Sequence, residues 1–356
     1  MSENIDEPAS RSAAEESFGR GGGENDNAAN LKPSVPPGGF CPGRCLVTGG
    51  AGFIGSHLTE TLTALGAEVR VLDDLSSGHL ENLNLARASG RLEFIRGSIA
   101  DETTLSGVLE GVETVFHLAG LVAVPESLEN PRRCIELNDL AVFALYQAAA
   151  RAGVRRVVFS SSSAVYGEVD APHHEALCPR PDTPYAIHKL LGEHYGLFFH
   201  QYRGLESVYL RYFNVYGPRQ IPDSPYSGVI SLFMDKIKRS EPGLIFDDGS
   251  QTRDFIYVGD VVRANLAAAA APGLSGESVN VASGRATSIL ELYRLLTSLA
   301  NQDKLEPIFA PPRPGDIRHS FGPVDKARCL MDFEAGTSLA EGLARTWRWF
   351  SARAVD

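Results

Sequence analysis

Nowhere in the 356 residues does an apolar run reach eighteen, so no segment reads as a membrane span. The N-terminus has neither the basic start nor the apolar stretch of a signal peptide, and the expected location is the cytoplasm. Cysteine is scarce. Cys41, Cys45, Cys134, Cys178 and Cys329 form no CxxC pair and no even-numbered framework, which excludes a disulfide scaffold and suits a reducing compartment. Cys41 and Cys45 have no second cluster to complete a metal site, so no metal is expected. Basic residues are outnumbered, 33 Lys and Arg against 44 Asp and Glu, and the net charge of -11 argues against a general grip on nucleic acid. No internal repeat is visible.

What is present is apolar material for a sizeable core, 43% of residues, enough for one large α/β unit or two closely joined domains. Residues 1–43 carry seven acids, three bases, the Gly21–Gly23 run and Pro33, Pro36 and Pro37. That composition reads as a disordered acidic tail ending in a proline-rich linker, with a regulatory peptide that orders on a partner as the alternative. From Arg44 onward, short β-branched or apolar runs alternate with helical segments, the signature of βαβ units around a doubly wound parallel sheet, a Rossmann-type α/β fold. Strands are expected near 44–48, 68–72, 92–96, 113–118, 155–160 and 206–211. Helices are expected near 53–65, 101–109, 134–152 and 184–202. Beyond Arg211, proline- and glycine-rich loops with helices near 227–240, 259–271, 287–300 and 337–350 suggest a smaller substrate-holding lobe.

The first strand, Cys45-Leu46-Val47, runs into Thr48-Gly49-Gly50-Ala51-Gly52-Phe53-Ile54-Gly55-Ser56-His57, with a helix pattern after it. Gly49, Gly52 and Gly55 permit a tight turn, close approach of backbone to a pyrophosphate, and close packing of helix on strand. Asp73 closes the second strand 18 residues after Gly55, where its carboxylate can accept from both ribose hydroxyls and would repel a 2′-phosphate. NAD is therefore expected rather than NADP, against the competing reading of a turn acid beside Asp74 with no ligand. TGGAGFIGSH followed by VLDDLSSG resembles the extended short-chain dehydrogenases/reductases of the NAD-dependent epimerase/dehydratase family. The resemblance runs from residue 44 to about 350 and implies an NAD-binding domain over 44–211, to which 254–281 returns. It implies a nucleotide-sugar-binding lobe over 212–253 and 282–350. It adds Phe53, Ile54, Asp74, Ser77 and Gly78 to the cofactor site, and Leu118-Ala119-Gly120 as the small-residue turn after the fourth strand. Ser98-Ile99 stands at the adenine side of the cofactor site, where the family usually has an Asp-Ile pair, a departure that weakens one adenine contact.

A buried strand, Val157-Val158-Phe159, leads into Ser160-Ser161-Ser162-Ser163-Ala164-Val165-Tyr166-Gly167, and 23 residues after Ser162 comes Tyr185-Ala186-Ile187-His188-Lys189. Positions i and i+4 share a helix face, so Tyr185 and Lys189 should meet in one pocket that also touches the cofactor. An ammonium and an oxidised nicotinamide near the phenol would favour the phenolate, a general base near neutral pH. By resemblance, Ser162 would hydrogen-bond the reacting hydroxyl and the substrate. Tyr166 is expected to shape the pocket wall, and His188 to lie about 60° off the Tyr185 face.

Arg211-Tyr212-Phe213-Asn214-Val215-Tyr216-Gly217-Pro218-Arg219 resembles the family segment whose asparagine, here Asn214, meets the nucleotide diphosphate. Arg253 and Arg313 correspond to the family's phosphate arginines and Asp316 to its ribose acid. The segment around Val229 resembles the loop and helix over uracil. Sugar 4,6-dehydratases place an Asp-Glu pair where this chain has Ser163 and Ala164, and the glutamate often carried there by UDP-glucuronate decarboxylases is also missing. The resemblance then implies 4-epimerisation of a UDP-sugar through a 4-keto intermediate. Ser320 replaces a bulky tyrosine, which leaves room for an N-acetyl group and favours UDP-GlcNAc/UDP-GalNAc with or without UDP-Glc/UDP-Gal. The alternatives are another nucleotide-sugar oxidoreductase, such as a UDP-glucuronate 4-epimerase or decarboxylase, and a non-catalytic NAD-binding regulator. A homodimer through helices 134–152 and 184–202 is expected by the same resemblance.

Overall fold

The computed structural model describes residues 42–122, 124–220, 222, 228–312 and 317–353. Strands β1 (Arg44–Thr48), β2 (Glu68–Asp73), β3 (Leu92–Arg96), β4 (Thr114–His117), β5 (Arg156–Ser162) and β6 (Glu206–Tyr212) alternate with helices. These helices are α1 (Phe53–Ala64), α2 (Asn84–Ala88), α3 (Glu102–Val108), α4 (Val124–Glu129), α5 (Pro131–Ile135), α6 (Ala141–Arg151) and α7 (Pro184–Arg203). The later elements are β7 (Asn214–Tyr216), α8 (Val229–Lys238), β8 (Leu244–Phe246), β9 (Thr252–Arg253), β10 (Phe255–Tyr257) and α9 (Val258–Ala270). They are followed by β11 (Ser278–Val281), β12 (Thr287–Ser288), α10 (Ile289–Leu299), β13 (Ile308–Ala310), β14 (His319–Ser320), α11 (Asp325–Met331) and α12 (Leu339–Ser351).

Seven strands form one parallel sheet in the order β3-β2-β1-β4-β5-β6-β11. Successive side chains point to opposite faces, so both faces must be apolar and both must be covered. Cys45, Val47, Val69, Val71, Phe116 and Val158 pack with Leu58 and Leu62 of α1 and Val261, Val262 and Leu266 of α9. Leu46, Val115, Val157, Phe159 and Tyr209 pack with Leu105 of α3, Leu145 and Tyr146 of α6 and Phe199 of α7. β1 lies between β2 and β4, so the winding reverses there, and Thr48 and His117 end side by side. In such sheets the crevice beyond the strand ends at this reversal is where ligands bind.

The remaining strands form smaller sheets: β7 with β10, β9 between β12 and β14, and β8 with β13. Among the described residues no helix is long and apolar enough to cross a membrane.

The helix expected at 134–152 differs in an instructive way. It starts earlier, at Pro131, whose fixed backbone suits a first helical position, and residues 136–140 widen into a π turn before α6. That turn buries Asn138, a polar residue that an amphipathic pattern assigns to solvent. The seventh strand, β11, escapes the strand pattern because buried Asn280 interrupts its apolar run. Asn280 takes the Tyr166 hydroxyl at 2.7 Å and donates to His173 O at 2.8 Å.

Candidate functional site

Beyond β1 the chain turns at Gly49 (φ +69), whose N–H donates to Leu72 O at 2.9 Å. A Cβ on Gly55 would lie 2.1 Å from Gly49 O, closer than any real contact. Helix α1 therefore starts tight against the strand turn. No side chain caps it, and its first turn holds no acid, whereas Asp101, Ser288 and Ser338 cap α3, α10 and α12. Free N–H donors at the positive end of a twelve-residue helix fit a pyrophosphate. Gly52, Phe53 and Ile54 line that end, half-buried.

At the end of β2, Asp73 accepts from Ala51 N at 2.9 Å and Leu75 N at 2.8 Å. Burial pushes its carboxyl above the ordinary value and these two N–H groups pull it back. A carboxylate offers about four acceptor sites, so two remain for a ribose. Asp74 is exposed and accepts from Ser76 N, Ser77 is exposed, and Gly78 packs against Ala51. Ser98 accepts from Ala100 N. Ile99 is buried in the core with Leu72, Leu105 and Val108, so only its backbone is left to face a ligand.

On the other side of the reversal, Leu118 and Ala119 are half-buried and Gly120 is exposed. Three side chains with no role expected from the sequence hold this turn. Thr48 Oγ1 bonds His117 Nδ1 at 2.7 Å and accepts from Ala119 N at 3.3 Å, and burial brings His117 down to about 3, so it is neutral. Asn138 Oδ1 accepts from Leu121 N at 2.8 Å while its Nδ2 donates to Leu121 O at 2.7 Å. Gly55→Ala is expected to force these packed backbones apart at about 1–3 kcal/mol. Nucleotide released from the denatured protein, read by absorbance, should then show NAD retained at least about tenfold more weakly.

Thr183 caps α7, and Ser127 Oγ accepts from Tyr185 N at 3.3 Å, which fixes the helix start. Tyr185 and Lys189 follow one turn apart, and Lys189 Nζ donates to Ser160 O at 2.7 Å with its nitrogen 5.7 Å from the Tyr185 ring centre. Ser162, the last residue of β5, lies beside the Tyr185 hydroxyl, and its Oγ accepts from Ala164 N at 3.1 Å. The three residues singled out from the sequence thus converge on one point beyond β5. Burial pulls the Lys189 ammonium down to about 8, with neighbouring Cys134 pulling upward. Burial also pushes the Tyr185 hydroxyl above its ordinary value, and the neighbouring Ser162 hydroxyl opposes that shift. His188 lies off this face, buried, with Nδ1 3.9 Å from Asp139. Tyr166, expected to shape the pocket wall, is not exposed to a pocket. It is fully buried, bonded to Asn280, and lies under the Arg211 guanidinium at 5.0 Å.

Across the crevice, Asn214 opens β7, with its backbone N–H and its Nδ2 both donating to Asp254 O, at 3.0 and 3.2 Å. Asp254 is buried and receives Ser283 N, Ser283 Oγ and Gly284 N. That anchor holds Arg253 on β9, where Ser320 of β14 is its register partner. Ser320 is buried, and Val229 begins α8, half-buried. Asn214, Arg253 and Ser320 are therefore brought together around Asp254. Arg313 and Asp316 lie outside the described residues.

A family model described as the NAD dependent epimerase/dehydratase family matches residues 45–282. A UDP-glucose 4-epimerase of Mycolicibacterium smegmatis is 40% identical over 86% of this chain and 98% of its own. The structure of a UDP-glucose 4-epimerase from Thermotoga maritima with UDP-glucose superposes with a TM-score of 0.81 at 40% identity, covering 86% of this chain and 98% of that one. A UDP-N-acetylglucosamine 4-epimerase from Methanobrevibacter ruminantium, in complex with UDP-N-acetylmuramic acid, gives 0.82 at 38%, covering 86% and 97%. Matches at 31–33% identity extend to a UDP-glucuronate 4-epimerase, a UDP-N-acetyl-glucosaminuronate decarboxylase and a dTDP-glucose 4,6-dehydratase.

Proposed function

The chain belongs to the NAD dependent epimerase/dehydratase family, within the extended short-chain dehydrogenases/reductases, and is an enzyme that uses NAD. From that premise we propose that it is a UDP-sugar 4-epimerase. One observation carries the reading: Ser162, Tyr185 and Lys189 converge beyond β5, while the next two positions are Ser163 and Ala164, neither an acid nor a base. Elimination or decarboxylation needs a further proton-transferring group at the sugar. Returning a ketone to an alcohol from its other face needs none.

In this reading Tyr185 takes the proton of the sugar's C4 hydroxyl, and Ser162 holds that oxygen by hydrogen bond. Lys189, fixed by Ser160 O, favours the phenolate. NAD, when bound, supplies the hydride acceptor and donor. Gly52 to Gly55, Asp73 and the turn Leu118 to Gly120 would hold it. Asn214, Val229, Arg253 and Ser320 would hold the nucleotide and sugar, with Arg313 and Asp316 assigned by resemblance. Serine at 320 supports tolerance of an N-acetyl group, because a larger side chain there would fill that space. The same reading assigns NAD binding to 44–211 with 254–281, and sugar-nucleotide binding to 212–253 with 282–350. Among the described residues Cys45, Cys134, Cys178 and Cys329 form no disulfide, which suits the cytoplasm.

Purified protein incubated with UDP-GlcNAc, UDP-Glc and UDP-GlcA should interconvert a C4 epimer pair, with UDP-GlcNAc among the substrates, as resolved by NMR. Accumulation of only a dehydrated, decarboxylated or reduced product sinks the epimerase reading.

We also infer a homodimer. Leu140 and Phe143 beside the α6 start, and Ile187, Phe198 and Tyr202 along α7, expose apolar surface on two helices that pack together through the Phe143–Tyr195 ring contact. Leu140→Glu combined with Tyr202→Glu should halve the mass found by light scattering. An unchanged mass removes this face as the interface.

A further inference from the structure

The sugar-nucleotide side and the cofactor side are latched together at a point that neither site explains. After β7 the chain makes a corner, Gly217-Pro218-Arg219-Gln220, before it reaches α8. Arg219 has φ +71, a left-handed conformation that a side-chain-bearing residue adopts only where its surroundings enforce it. The enforcement is visible. Its guanidinium donates to Ser56 Oγ at 3.0 Å and to Glu60 Oε1 at 2.6 Å, and both side chains of that ion pair are largely buried. His57 Nε2 donates to Pro218 O at 3.0 Å. Gln220 closes the corner from within, through Val215 O at 3.1 Å and its own N–H to Gly217 O at 3.3 Å.

Ser56, His57 and Glu60 all belong to α1, whose N-terminus is the dinucleotide turn. The corner lies between Asn214 and Val229, the residues assigned to the diphosphate and the base. One helix therefore carries the cofactor turn at its start and the sugar-nucleotide corner one to two turns later. Hydride transfer depends on the distance between two separately bound molecules, and misplacement by an ångström is costly. A buried, two-point guanidinium contact sets such a distance better than a flexible loop does.

We propose that Arg219, through Glu60 and Ser56, is a positioning residue that fixes the sugar-nucleotide corner to the cofactor helix, so that a productive nucleotide site requires the latch. The inference rests on the epimerase reading of the two sites. It touches none of Ser162, Tyr185 or Lys189, so its loss acts on binding and placement rather than on proton transfer.

The test uses NAD-loaded protein, with UDP as the probe in calorimetry and with KM and kcat for UDP-GlcNAc. Arg219→Met removes the guanidinium and keeps its apolar stem. It is expected to weaken UDP binding and raise KM by about tenfold or more, the range of a typical coupling between sites, and to lower kcat as well, by up to about a hundredfold, because the distance for hydride transfer is no longer set. Arg219→Lys, which keeps a charge near Glu60, should recover part of the loss. Glu60→Gln, which keeps the side-chain size, should shift UDP affinity in the same direction as Arg219→Met and decides the matter if that variant fails to fold. A lowered Tm with unchanged UDP affinity and KM in these variants overturns the latch and makes Arg219 merely structural. A parent protein that binds neither NAD nor UDP overturns the epimerase reading instead, so the two failures are distinguishable.

Discussion

Replacing Tyr185 by phenylalanine lowers turnover of the UDP-sugar at least about a hundredfold, the usual cost of removing a general base, and leaves the NAD content unchanged. The ring stays, so the packing at the start of α7 stays with it. What disappears is the hydroxyl that lies beside Ser162. Burial alone works against this group, because it raises the phenol and makes the phenolate scarcer at neutral pH. A positive charge must therefore reverse that shift, and the fold places one within reach in Lys189. Burial lowers Lys189 to about 8. It keeps its proton below that value and loses it above, so kcat/KM should fall on the alkaline side from about pH 8, as the charge favouring the phenolate vanishes. Steady-state rates across pH, with NMR identification of product, check both statements. Turnover of Tyr185→Phe within about threefold of the parent removes Tyr185 from its role.

The parts of this site that could be read in the sequence are those where chemistry and helical or strand period coincide. Gly49, Gly52 and Gly55 between a strand and a helix, an acid closing the next strand, and tyrosine and lysine four apart each carry a local signal, and the structure sets each where that signal puts it. The supporting residues carry none. Asn138 faces Leu121 only because the helix widens at 136–140, and no spacing announces a π turn. His117 and Thr48 meet only because β1 and β4 are neighbours, 69 residues apart. Asp254 and Asn280 look like surface polar residues and are buried, since their partners come from segments far along the chain. In the sequence Tyr166 looks like pocket lining for the same reason. Its partners Asn280 and Arg211 lie on strands β11 and β6, and only the sheet order brings them over it. Glu193 is the exception that a stricter reading would catch, because it extends the Tyr185 and Lys189 stripe by one more turn of α7.

Glu193 also yields the largest expected stability effect. Its carboxylate is nearly enclosed and accepts four hydrogen bonds: Ser161 Oγ at 2.5 Å, Arg211 Nε at 2.9 Å, Arg211 Nη2 at 2.7 Å and Ser278 Oγ at 2.8 Å. Four elements, α7, β5, β6 and β11, meet on this one group. Gly192 beside it lets α7 approach until a Cβ there would lie 2.2 Å from the Phe159 ring, so the helix has no slack in which to retreat. Glu193→Ala leaves Arg211, which cannot give up its charge, buried without its partner, a situation that costs about 3–5 kcal/mol. The melting temperature should fall by roughly 4–8 °C, as measured by calorimetry. The double variant Glu193→Leu with Arg211→Met removes both charges, and apolar replacement of a buried pair is often neutral or better. It should therefore melt several degrees above the single variant. Both outcomes follow from treating the pair as a desolvated unit whose halves cannot be removed separately. A single variant that melts within about 2 °C of the parent, or a double variant that melts below the single, contradicts it. Because Ser161 precedes Ser162 and α7 carries Tyr185 and Lys189, the single variant should also turn over more slowly at temperatures where it is still folded.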